Sequence, residues 1–158
     1  MSGLARATGV LMAVARGAML VAFLAMLLLT LVQVANRFLI GAAIFWTEEL
    51  IVLLLVWATL LGMPVQLWRH EEIVVDVLPA EAGAGAWIKR WVGGACSAAF
   101  LGVLLWSGVA FVERGLMATS PTMGLSRLWF FLPIPLSAAL SLLALAARPV
   151  APNAGGFE

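Results

Sequence analysis

Residues 17–36 read GAMLVAFLAMLLLTLVQVAN, twenty positions between Arg16 and Arg37 without one charged side chain. A helix rising about 1.5 Å per residue needs roughly 20 such residues to cross a hydrocarbon core about 30 Å thick. The spacing recurs three times. Uncharged stretches run from 50 to 68 between Glu49 and Arg69, from 91 to 112 between Arg90 and Glu113, and from 128 to 147 between Arg127 and Arg148. No other gap between charges exceeds 12 residues. The composition agrees, with 64% hydrophobic residues, 11% charged and a mean hydropathy of +1.09. Soluble domains carry about a quarter charged residues.

These gaps predict an all-α membrane protein with four transmembrane helices, at about 14–34, 46–68, 87–112 and 126–147. They form a single membrane domain over residues 1–148. The tail 149–158, with Pro149, Pro152 and Gly155-Gly156, reads as disordered and cytoplasmic. Span 1 is read as a retained helix and not a cleaved signal peptide. Its run from Gly17 to Val34 exceeds a 7–15-residue signal core, and cleavage after Ala35 would place Gln33 where a small residue is needed. Basic residues set the orientation. Arg6, Arg16, Arg69, Lys89, Arg90 and Arg148 fall in the termini and middle loop, whereas Arg37, Arg114 and Arg127 fall in the other two loops. Six against three puts both termini and the middle loop in the cytoplasm.

Between spans 2 and 3, Arg69, Glu72 and Asp76 project to one side of a helix and Ile73, Val74, Val77 and Leu78 to the other. This predicts a short amphipathic segment in the membrane interface, although the β-branched run 73–75 also suits a strand. Pro133 and Pro135 interrupt span 4. A helix starting at Pro135 would have only 13 residues, so the first turns of the span are expected to be kinked, with neighbouring protein satisfying the freed carbonyls.

The residues argue against several chemistries. His70 is the one histidine and lies in a loop, so two histidines of this chain cannot ligate a haem. The span interiors lack the carboxylates, histidines and basic groups on which ion pathways and proton relays are built. No metal-ligand or cofactor motif is present, the net charge of +1 gives no reason to expect nucleic acid, and Cys96 reads as a small buried apolar residue. A scaffold fits better than an enzyme or a pore.

A few positions invite a partner. Trp46-Thr47-Glu48-Glu49 opens span 2, where the acids face the positive end of the helix dipole. Glu48 and Glu49 then either sit solvated in a first turn or pair with a basic group, Arg37 within the chain or one on another subunit. Gly94, Ala98 and Gly102 form a small-residue stripe that admits another helix closely. Trp57 and Trp106 lie mid-span as packing residues, while Trp46, Trp68, Trp87 and Trp129 fall at span ends, as an aromatic belt does. Arg69, Arg114 and Arg127 suit lipid headgroups or an interface.

Four features in order resemble the small membrane subunit of tripartite ATP-independent periplasmic (TRAP) transporters, the DctQ-like family. They are Asn36-Arg37-Phe38 closing span 1 and Trp46-Thr47-Glu48-Glu49-Leu50 opening span 2. Trp57 with Leu61-Gly62 and Ile73-Val74-Val75-Asp76 comes next, and Ser120-Pro121-Thr122-Met123-Gly124-Leu125 leading to Leu132-Pro133-Ile134-Pro135 comes last. Glu72 stands where the family often has histidine, and Phe130 and Phe131 where tyrosine is common. The resemblance implies a bacterial inner-membrane subunit without cofactor. It would support a large membrane subunit that carries the substrate and sodium sites for symport, with a periplasmic solute-binding protein delivering an organic acid or related solute. A respiratory-enzyme membrane anchor and a self-sufficient small transporter are the alternatives.

Overall fold

The computed structural model describes residues 3–39, 41, 45–69 and 84–147. The expected interfacial segment 70–78 and the tail 149–158 lie outside them. The described residues form helices α1 (Gly3–Leu39), α2 (Phe45–Arg69), α3 (Ala84–Leu116), α4 (Leu128–Phe131) and α5 (Pro133–Ala147). Four stretches are long and apolar enough to cross a membrane, with α4 and α5 together making the fourth. The expected spans are therefore present, but α1 and α3 run past their predicted ends. No proline interrupts either sequence, and charged residues at a span end do not stop a helix once they reach the polar interface.

The break in the fourth span falls at Leu132, between α4 and α5. Pro133 has no N–H, so the carbonyl of Trp129 loses the partner that a continuous helix would give it. The Trp57 indole N–H of α2 donates to that carbonyl at 3.0 Å. A neighbouring helix thus satisfies the orphaned acceptor, as the two prolines led one to expect. Pro64 lies buried inside α2. The sequence reading gave it no weight, yet a membrane helix tolerates it when surrounding protein covers the gap.

The helices do not close into a four-membered bundle. Helix α1 packs on α2, α2 on α5, and α5 on α3, in a single file bent enough that α1 also meets α5, and α4 leans on α3. Among the described residues the backbone of α3 makes no close approach to α1 or α2. Helix α5 can sit between two neighbours because most of its buried positions are small, Ser137, Ala138, Ser141 and Ala144 beside Pro133 and Leu140. The apolar core collects where α1, α2 and α5 meet, around Met12, Ala15, Leu61, Val65, Leu140 and Ala144.

Two close helix approaches occur at glycines that the sequence reading had passed over. A Cβ on Gly108 would lie 2.9 Å from both Cδ and N of Pro135, and one on Gly115 would lie 2.8 Å from Cδ2 of Phe131. The predicted stripe lies further along α3. A Cβ on Gly94 or Gly102 would meet nothing within 4 Å. The small residues that seat α3 against α4 and α5 are thus Gly108 and Gly115, and among the described residues no helix occupies the Gly94–Ala98–Gly102 stripe.

Candidate functional site

Glu48 and Glu49 are neighbours in sequence but point to different elements. Glu48 Oε1 accepts a hydrogen bond from Gln33 Nε2 of α1 at 3.3 Å. Glu49 reaches the loop between α3 and α4 and accepts from the Ser120 hydroxyl, from the Met123 N–H at 3.1 Å and from the Thr122 N–H at 3.3 Å. Adjacent backbone N–H groups converging on one carboxylate form an anion-binding concavity, filled here by the chain's own side chain.

That concavity exists because the loop folds back on itself. Arg127 N–H donates to the Ala118 carbonyl at 2.9 Å, Ser120 N–H to Leu125 at 2.7 Å, and Gly124 N–H to Ser120 at 3.2 Å. Gly124 takes φ 65°, a left-handed turn position that costs glycine no Cβ clash. Ser126 completes the loop. Its hydroxyl donates to the Gly115 carbonyl at 3.1 Å and accepts from Leu128 N–H at 3.3 Å, tying the end of α3 to the start of α4.

Glu49 therefore has a third role that the sequence reading did not raise, fastening the start of α2 to the α3–α4 loop. The alternative of an internal pair with Arg37 is not realised. No ion pair joins Arg37 to either glutamate among the described residues. Arg37 instead shares an open depression of about 480 Å³ with Gln33, Val34, Gly41 and Glu48. The clue available in sequence was Ser120-Pro121-Thr122-Met123-Gly124 itself. Serine, proline and glycine at this spacing mark a tight turn with free N–H groups, and Glu49 lies at the same end of its own span.

The other singled-out residues divide between inside and outside. Trp57, expected as a packing or partner residue, is half-buried and bonded within the chain to Trp129. Trp46 is exposed at the start of α2, and Trp106 projects from α3 at 83% exposure. Cys96 is exposed on α3, which corrects its reading as a buried residue. The helix is apolar all round there, so burial could not be read from polarity. Arg114 lies over the Phe111 ring, 5.9 Å from its centroid, and Phe111 packs on Phe131 at 5.7 Å. Arg127 stands at a cavity of about 350 Å³ between Glu48, Glu49, Val52, Ser120 and Phe130. Arg69 ends α2 at the opposite end of that helix. What these residues assemble is a set of fasteners and open helix flanks.

No curated protein matches the chain. The family model described as "Tripartite ATP-independent periplasmic transporters, DctQ component" matches residues 26–151.

Proposed function

Because this chain belongs to the DctQ family, a component of TRAP transporters and not a family of enzymes, we propose that it is the small scaffold subunit of such a transporter. It is a multi-pass membrane protein. In this reading it lies in the bacterial inner membrane with both termini and the middle loop cytoplasmic. It supports a large membrane subunit during sodium-coupled uptake of an organic acid or related solute brought by a periplasmic binding protein.

The single-file arrangement carries the proposal. A self-sufficient transporter needs helices that enclose a path, and ionisable groups within the membrane usually line it. Here α1 and α3 are the ends of a row, and each keeps a broad apolar flank uncovered. The open stripe Gly94–Ala98–Gly102 with Trp106 offers the large subunit a close-packing face, and Arg37, Trp46 and Glu48 offer polar contacts at the periplasmic end. The charge of Glu49 is engaged internally, so its part in assembly is to hold the α3–α4 loop in shape. Substrate and sodium sites belong to the large subunit.

Co-expression with the neighbouring large membrane subunit tests this directly. The two chains are expected to copurify, and sodium-driven uptake into liposomes should need both of them and the binding protein. Uptake by this chain alone, above protein-free controls, would sink the scaffold reading.

A further inference from the structure

The cavity of about 350 Å³ that Arg127 borders combines charged residues with an apolar lining. From Glu48 to Arg69 a helix advances about 32 Å, close to the thickness of a hydrocarbon core, so Glu48 stands at a headgroup boundary. Arg127 immediately precedes the fourth span, and Glu49 ties the loop before it to the same end of α2. From that level both helices run into the membrane. Val52 follows Glu48 by one turn on the same face of α2, and Phe130 and Phe131 follow Arg127 along α4. The apolar lining therefore lies on the membrane side of the charges. Both charges are available. Among the described residues the Arg127 guanidinium makes no ion pair or hydrogen bond. Residues 40–44 carry no charge, and Glu71, Glu72, Asp76 and Glu81 follow the opposite end of α2. Glu48 Oε1 accepts from Gln33, while its Oε2 accepts from no described residue. Glu49 differs, because the loop's donors already hold it.

We propose that this cavity is a binding site for a zwitterionic phospholipid with a primary ammonium headgroup. The phosphate meets Arg127, the ammonium meets Glu48, and one acyl chain runs inward along Val52, Phe130 and Phe131. A guanidinium binds phosphate oxygens through paired N–H donors, and an ammonium donates charge-assisted hydrogen bonds to a carboxylate. One free cation and one free carboxylate match a headgroup that carries one charge of each sign. An anionic lipid would set a second negative charge beside Glu48. An apolar partner helix seated there would leave both charges unpaired against it. Glu48 also borders the depression that holds Arg37, so a lipid on this side leaves the Arg37 side open to another subunit. The site depends on α2 and α4–α5 spanning the membrane and not on the transporter role, so the two can fail separately.

The test uses the full chain in detergent, alone and with the large membrane subunit, and reads bound lipid by native mass spectrometry. Phosphatidylethanolamine, phosphatidylcholine and phosphatidylglycerol with the same acyl chains are offered together. Wild type is expected to retain phosphatidylethanolamine over both others. Arg127→Gln should lower its retention about fivefold, and Arg127→Lys should restore part of it. Glu48→Gln should lower the preference over phosphatidylglycerol about threefold. Val52→Trp should reduce retention while both charges remain, and Arg16→Gln, at the other end of the row, should leave it unchanged. Circular dichroism confirms that each variant is folded. Equal retention of the three lipids by wild type overturns the proposal, as does a preference for phosphatidylcholine or phosphatidylglycerol. A preference that survives the double variant Arg127→Gln/Glu48→Gln overturns it too. Displacement by soluble glycerophosphoethanolamine would mark a site for the free headgroup and also overturn it. So would loss of the lipid on adding the large membrane subunit, since that assigns the cavity to a protein partner.

Discussion

Replacing Gly108 by alanine adds one methyl group where α3 meets the start of α5. The new carbon would lie 2.9 Å from Cδ and N of Pro135 and 3.1 Å from Cγ2 of Ile134. Non-bonded carbons rest about 3.5–4.0 Å apart, so the methyl is short of room by about 0.6–1.1 Å. Pro135 cannot swing aside, because its ring is part of the backbone. The helices must separate instead, loosening the α3–α5 contact. Overpacking of this kind costs about 1–3 kcal/mol. The control is Gly102→Ala on the same helix, where the added methyl meets nothing within 4 Å. Its effect on the isolated chain should stay within about 0.5 kcal/mol. Thermal unfolding in one detergent, with both variants against wild type, decides the matter. If Gly108→Ala matches wild type, or if Gly102→Ala destabilises as much, the internal contacts of α3 have been assigned to the wrong glycines.

Glu49→Gln should free the α3–α4 loop, so that amide hydrogen exchange at Thr122 and Met123 accelerates while α1 is unaffected. Glu48→Gln should leave those amides as they were, and equal behaviour of the two variants would remove the fastening role. Trp57→Phe strands the Trp129 carbonyl and should cost about 1–3 kcal/mol, whereas Trp106→Phe should cost little in the isolated chain. Matching melting temperatures for these two variants would contradict the indole bond. With Cys96 replaced by alanine, a cysteine introduced at Met117, which is 96% exposed, should react with a membrane-impermeant reagent from the periplasmic side. Reaction from the cytoplasmic side alone would invert the topology.

The spans were legible because bilayer thickness is a one-dimensional constraint, and charge spacing along a chain records it directly. The break before Pro133 was legible for a similar reason, since a missing N–H acts at a fixed offset along one helix. The order of helices in the row was not. Helices that are apolar on every side carry no mark of which side meets protein and which meets lipid. That is why the stripe Gly94–Ala98–Gly102 drew attention while Gly108 and Gly115, equally plain in sequence, were overlooked. The Glu49 bond was hidden differently. Its donors lie more than 70 residues away and depend on a loop that must fold before two N–H groups converge.

The row also divides into two hairpins, α1 with α2 and α3 with α4–α5, joined along the α2–α5 seam. Glu49 to the loop and Trp57 to Trp129 cross that seam in the half nearest the start of α2. The opposite half meets through Leu61, Val65, Leu140 and Ala144, side chains that grip without direction. Hydrogen bonds resist sliding because their geometry fails within a fraction of an ångström, whereas apolar surfaces can shear and still remain in contact. Under sideways load the seam should therefore behave as a hinge pinned at one end, with any play between the two hairpins appearing at the end that holds Arg16 and Arg69.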